Sequence, residues 1–231
     1  MKLQKRSGAF IFLTILFSFV LLSQKFTVES LGRAETRSSA LPTTNVSTSD
    51  RYRLDASQST FIAHALRGGL LWFKGHEHLV AAKEFTGEAE ISPGAINPAS
   101  LRLIVKSASM QETGSAFTDQ QKQIINKELC EIVLLPDRYP DITFRSNEVK
   151  GTAINNNEYD LKIGGDLTLL GITRHIDIPT HVTLTGNDLR ARGEFSIGRS
   201  EFKVKATSAV HGLIRVRDKI KFTFDIVGHR Q

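Results

Sequence analysis

The chain has 231 residues, 40% of them hydrophobic, with 14 Phe against one Trp and three Tyr, enough for one domain with a substantial core. Its formal charge of +6 is uneven: residues 1–49 carry six Lys or Arg against two Glu, so only +2 remains for the rest. That is too little for the electrostatic footprint of a nucleic-acid-binding surface.

The chain begins MKLQKRSGAFIFLTILFSFVLLSQK, a basic start followed by an apolar run over residues 9–22, the pattern of an export signal. As a helix this run would be about 21 Å long, short of the roughly 30 Å hydrocarbon core, which favours export over a stable span. The small residues that cleavage requires, at Gly32-Arg33-Ala34 and Ser38-Ser39-Ala40, lie far from Leu22. Residues 1–23 therefore read as a signal peptide or as an uncleaved N-terminal anchor, and residues 24–50, rich in Ser and Thr without periodicity, as a flexible linker. The expected location is periplasmic or secreted, with anchoring to the inner membrane through this segment as the alternative.

After the linker, period-2 patterns dominate, and residues 51–231 read as one antiparallel β domain. An early stretch, LLWFKGHEHLV, holds His76 and His78 one residue apart; within a strand they would share a face. Metal binding, contact with a ligand's polar head, and a structural place near a turn after Gly75 all remain open on the sequence. Trp72 suits either a channel wall or its rim. Next, FTGEAEI sets Phe85, Gly87, Ala89 and Ile91 against Glu84, Thr86, Glu88 and Glu90, and LRLIVKS sets Leu101, Leu103 and Val105 against Arg102 and Lys106.

One segment breaks the alternation. SAFTDQQKQIINKELCEIVLL has Ile124, Ile125, Leu129, Ile132 and Val133 at near-helical spacing, which predicts one helix or two short ones. It would start near Thr118 or Asp119 as N-cap and stop at Pro136. Cys130, the single cysteine, falls inside it; one cysteine excludes an internal disulfide and every CxxC motif, and it reads as a buried apolar residue.

The alternation then resumes. Leu161, Ile163, Gly165, Leu167 and Leu169 share a dry face, as do Ile176, Ile178, Thr180, Val182 and Leu184. So do Leu189, Ala191, Gly193, Phe195 and Ile197, and finally Val216, Ile220, Phe222, Phe224 and Ile226. His175 and His181 fall on a wet face, and Arg215, Arg217, Lys219 and Lys221 form a basic row, either a solvated outer face or one that meets anionic lipid heads. Such one-sided strands stack as two sheets or close into a barrel, and about eight of them can enclose one small ligand. Gly87, Gly165 and Gly193 on dry faces mark either strand bends or space for a ligand.

RYPDITFRS (residues 138–146) and GGDLTLLGITRHIDIP (residues 164–179), with FTGEAEISPGAINPASLRLIVKSASM and GEFSIGRSEF in matching order, resemble the YceI-like family of bacterial polyisoprenoid-binding proteins. The likeness covers roughly residues 51–228. It implies an extended, lipocalin-like antiparallel barrel with one short helical insert, holding a long-chain isoprenoid lipid in an apolar channel, without a cofactor. The residues expected to line that channel are Phe85, Ile91, Leu101, Leu103, Val105, Phe144 and Leu167, together with Leu169, Ile176, Ile178, Phe195, Ile197, Phe222 and Phe224. His64 stands where many members carry a histidine, and His64, His76 and His78 are the candidates for contact with the ligand's head group.

Catalytic signatures are missing: there is no GxSxG, no phosphate-binding glycine loop and no HExxH. A non-enzymatic lipid-binding protein, for storage or transport, is the expected function. The alternatives are a metal-assisted or acid/base enzyme with a histidine site at the barrel mouth, and an interaction module whose barrel is filled by side chains. Whether the barrel forms a homodimer stays open.

Overall fold

A computed structural model describes residues 49–68, 76–205, 208–209 and 214–231. The expected signal or anchor, nearly all of the linker, and Trp72 lie outside the described residues. The chain forms β1 (Asp50–Gly68), β2 (His78–Ala82), β3 (Phe85–Ile91), β4 (Ala99–Lys106) and β5 (Met110–Glu112). After helix α1 (Asp119–Glu128) come β6 (Asp141–Asn155), β7 (Glu158–Leu169), β8 (Ile172–Thr185), β9 (Asp188–Gly198), β10 (Ser208–Ala209) and β11 (Ile214–Arg230).

Eight of these strands close into an antiparallel barrel. Running round it, β1 pairs with β3, then β4, β6, β7, β8, β9 and β11 follow, and β11 returns to β1. The 19-residue β1 serves two neighbours on one edge: Asp50 to Arg53 pair with β3, and Ile62 to Ala65 pair with β2. Its other edge follows β11 from Tyr52 to Gly68, with an irregularity between Asp55 and Thr60.

That irregularity has a local cause. Asp55 Oδ1 accepts from the Ser57 backbone N–H at 2.8 Å and from the Ser57 hydroxyl at 2.6 Å, and Oδ2 accepts from Gln58 Nε2 at 2.8 Å. The Val227 N–H donates instead to the Ser59 hydroxyl at 2.9 Å, so the bulge leaves that donor satisfied.

The dry faces predicted for the strands point inward. Leu161, Ile163, Leu167 and Leu169 of β7, Ile178, Val182 and Leu184 of β8, and Leu189 and Ile197 of β9 are buried. The three dry-face glycines mark close approach, and their space is already filled. A Cβ at Gly193 would lie 2.3 Å from Pro179 O and 2.6 Å from Phe224 Cζ; one at Gly165 would lie 2.4 Å from Arg145 O and 2.7 Å from Phe144 Cζ. At Gly87 it would meet Arg102 O and Leu54 Cδ1 at 2.6 and 2.7 Å. Phe144, Phe224 and Leu54 thus lie across the glycines, and ligand space begins beyond these side chains.

One end of the barrel is closed by two fully buried tyrosines, Tyr52 and Tyr159. The Tyr159 hydroxyl donates to Asn156 O at 2.6 Å and accepts from the Gly94 N–H at 2.7 Å. Arg230 lies over the Tyr52 ring, 5.8 Å from its centroid.

The helical insert contributes to the cavity wall. Thr118 is its N-cap, in a capping box with Gln121, and the helix runs on as a π-helical turn (Leu129–Leu134) that ends at Leu135, with φ of 50° just before Pro136. The apolar set divides: Ile125, Leu129 and Val133, four apart, face the barrel cavity, whereas Ile124 and Ile132 are exposed. Cys130 in the π-helical turn is a free thiol and is half-buried rather than buried.

Gly193→Ala should lower the stability of the barrel by about 1–3 kcal/mol in urea denaturation, because the added methyl would stand 2.3 Å from the backbone carbonyl of Pro179, which can yield only by shifting β8.

Candidate functional site

A cavity of about 280 Å³ runs inside the barrel. At the tyrosine-closed end its wall includes Leu54, Ile91, Val149, Val182, Leu189 and Ile226; at the other end it reaches Val80, Met110, Ile125, Leu129, Val133 and Val216. The strand register produces most of this lining, because the wall residues of the long strands are mainly the inward members of alternating pairs, and the helical insert adds the rest.

On one side of the cavity four phenylalanines form a cluster. Phe195 and Phe222 stack at 4.9 Å with ring planes 9° apart, and Phe61 packs 5.8 Å from Phe222 and 6.4 Å from Phe224. The contacts follow the register, which sets Phe61 opposite Phe224 and Phe195 opposite Phe222.

Of the fourteen residues expected to line a channel, thirteen do so: Ile91, Leu101, Leu103, Val105, Phe144, Leu167, Leu169, Ile176, Ile178, Phe195, Ile197, Phe222 and Phe224. Phe85 does not. It is the first residue of β3, beyond the part of that strand that pairs with β1, and its ring is buried in the core without reaching the cavity. Phe61, Ala63 and Ala65 of β1 also line the cavity and were missed. Their signal was present as the alternation of Phe61, Ala63 and Ala65 against Thr60, Ile62 and His64, masked by the outward Ile62.

The same alternation corrects His64. With Phe61, Ala63 and Ala65 inward, His64 points outward, where Nε2 bonds the Thr223 hydroxyl at 2.9 Å and Nδ1 the Glu77 carboxylate at 3.2 Å. His76 is exposed and precedes β2, so it does not share a strand face with His78, and it does not line the cavity. The two imidazoles nevertheless meet one ring: His76 stands edge-on to Phe117 at 5.6 Å, and His78 stacks on it at 4.9 Å and 14°.

His78 alone of the three lines the cavity. Its Nδ1 lies 2.8 Å from Oε2 of Glu112, a side chain with no exposed surface. Oε1 of Glu112 accepts from the backbone N–H of Gly114 at 2.7 Å and of Leu79 at 3.1 Å. Burial pushes the Glu112 pKa up, but the hydrogen bonds from His78, Gly114 and Leu79 together outweigh it and hold the carboxyl below its ordinary value of 4.5.

The other charged groups on the cavity wall at this end are Glu128, Arg199 and Lys205. Arg199 Nη1 donates to Val204 O at 2.9 Å, and its Nε is buried without a partner among the described residues. No group of three His, Cys, Asp or Glu side chains among the described residues is arranged to hold a metal ion. The His76 and His78 metal reading thus gains no further ligand. Arg217, Lys219 and Lys221 of the basic row lie on an outer face: Lys221 pairs with Glu194 at 2.6 Å, and Arg217 Nε donates to Arg67 O at 3.0 Å. His175 and His181 lie on the outside too, each beside two carboxylates.

Because the folded pKa of Glu112 lies below the ordinary value, its contribution to stability is full above that value and is lost as the pH falls through the lowered one. Glu112→Gln should therefore cost about 1–3 kcal/mol in urea denaturation at neutral pH, and the gap from wild type should close steadily below about pH 4.5.

The model of the YceI-like domain family matches residues 52–228. No curated protein matches the chain. Among solved structures, BcnA from Burkholderia cenocepacia is similar with a TM-score of 0.55 at 19% identity, covering 75% of this chain and 98% of that one. A polyisoprenoid binding domain from Saccharophagus degradans, implicated in plant cell wall breakdown, gives a TM-score of 0.53 at 14% identity, over 78% of this chain and 98% of that one. The YCEI protein of Campylobacter jejuni gives 0.51 at 19% identity, over 66% and 84%. At these identities the likeness is one of fold. The family match spans every strand of the barrel from near the start of β1 almost to the end of β11, and on that match the chain belongs to the family of YceI-like domains.

Proposed function

We propose that this barrel is a non-enzymatic carrier or store for a single long apolar chain of the isoprenoid class. The observation that carries the reading is the apolar cavity that continues from the buried tyrosines to the helical insert. Its 280 Å³ lies just under the range of small-molecule sites, which suits one slender chain. Each buried methylene contributes about 0.8 kcal/mol, so a chain binds through its length with few polar contacts. The description of the Saccharophagus degradans domain as polyisoprenoid binding supports the same ligand class.

The cavity weighs against a barrel filled by its own side chains. Against a metal-assisted enzyme stands the want of further ligands around His76 and His78 among the described residues. The basic start and the apolar run of residues 9–22 support export to the periplasm or beyond, with the N-terminal segment either removed or kept as an anchor.

Organic extraction of the full-length protein, purified without detergent, should yield a stoichiometric isoprenoid lipid by mass spectrometry. Ala191→Phe, which places a ring on the cavity wall, should lose it, and the outer-face change Lys221→Ala should retain it. A lipid-free protein whose melting temperature does not rise with added polyprenol would sink the proposal.

A further inference from the structure

His78 and Glu112 form a unit whose geometry specifies more than a place on the wall. The carboxylate is fully buried, is fixed by two backbone N–H groups, and faces His78 Nδ1 with its remaining oxygen. An ionised carboxylate in that position has only acceptor capacity, so the imidazole must offer it a proton. In the neutral ring the proton sits on Nδ1, and Nε2 carries a lone pair. Phe117 holds the ring by its face and Glu112 holds it by its edge, which removes the freedom to flip. Nε2 has no hydrogen-bond partner among the described residues, and the side chain keeps 27% of its surface open. Its neighbours on the wall, Ala65, Val80 and Met110, carry no side-chain hydrogen-bond donor, and the side-chain donors named at this end of the cavity are Arg199 and Lys205.

We infer that His78, oriented by Glu112, reads the polar end of the bound chain as a hydrogen-bond donor, and that the preferred ligand is a long-chain alcohol or hydroquinone. The inference rests on the channel reading above and adds the chemistry of the head. A terminal hydroxyl donates to Nε2, whereas an ether, ester or quinone carbonyl brings a second acceptor against a lone pair. A buried group left unpaired costs more than an ordinary hydrogen bond gains, so the discrimination should be about tenfold.

The architecture also provides a control. In Glu112→Gln the Gly114 and Leu79 N–H groups keep the amide oxygen, so the amide NH₂ faces His78 Nδ1. That nitrogen must then accept, the proton moves to Nε2, and the preference for a donor disappears. His78→Asn keeps a donor for Glu112 and removes Nε2 altogether.

The test uses delipidated full-length protein in alkaline buffer, titrated with farnesol and with its methyl ether. Wild type should bind the alcohol about tenfold more tightly, and both variants should bind the two ligands within about twofold of each other. Histidine ¹⁵N spectra should show His78 protonated at Nδ1 in wild type and at Nε2 in Glu112→Gln, a change that a merely structural role would not produce. Equal binding of alcohol and ether by wild type, or an unchanged tenfold preference in Glu112→Gln, would overturn the head-group inference and leave the channel standing. Failure of both ligands to bind wild type would overturn the two readings together.

Discussion

The ladder between β1 and β11 is the contact on which everything else depends. Eight strands with one apolar face each have no inside until the first is hydrogen-bonded to the last. Without that ladder, β1 and β11 would be two long edges of an open sheet, with the phenylalanines of β9 and β11 facing solvent. With it, the inward residues of all eight strands become one wall. The bulge at Asp55 belongs to the same constraint, since it lets a 19-residue strand follow β11 while dividing its other edge between β3 and β2.

The division of β1 also explains where polarity can enter. At the closed end β1 is flanked by the barrel strands β3 and β11 and sealed by Tyr52, whereas above Ile62 its neighbour on the β3 side is the five-residue β2. β2 is extended only by β5, whose last residue is Glu112. Among the described residues, the carboxylate with no exposed surface therefore sits where the wall passes from barrel strands to short accessory ones. Its partner His78 is the first residue of β2, with one ring edge in the cavity and the other against protein.

Much of this was legible in the sequence because alternation is a local signal. The inward faces of β7, β8, β9 and β11 could be written out residue by residue, and the cavity wall follows from them. Phe61 escaped because Ile62 on the outer face blurred the period, and alternation puts Phe85 on the inner face without showing that its ring packs into the core beside Val105 instead of facing the lumen. The glycines were ambiguous for a related reason: a missing side chain shows that space is needed, while Phe144 and Phe224, which take that space, are named only by strand register. Glu112 was invisible. In MQETG it reads as a solvated turn residue, and its burial arises from a pairing with His78 that spans 34 positions of sequence.

Pairing the first strand with the last also orders events in time. Tyr52 and Arg230 are neighbours in the ladder and 178 residues apart along the chain, so the barrel cannot shut until the whole domain has been synthesised. Hairpins such as β7–β8 and β8–β9 can form early from local contacts, but they must wait with their apolar faces uncovered. Closure is then a single late step that hides the entire lumen at once, so the inward phenylalanines of β9 and β11 stay exposed until the last strand is in place.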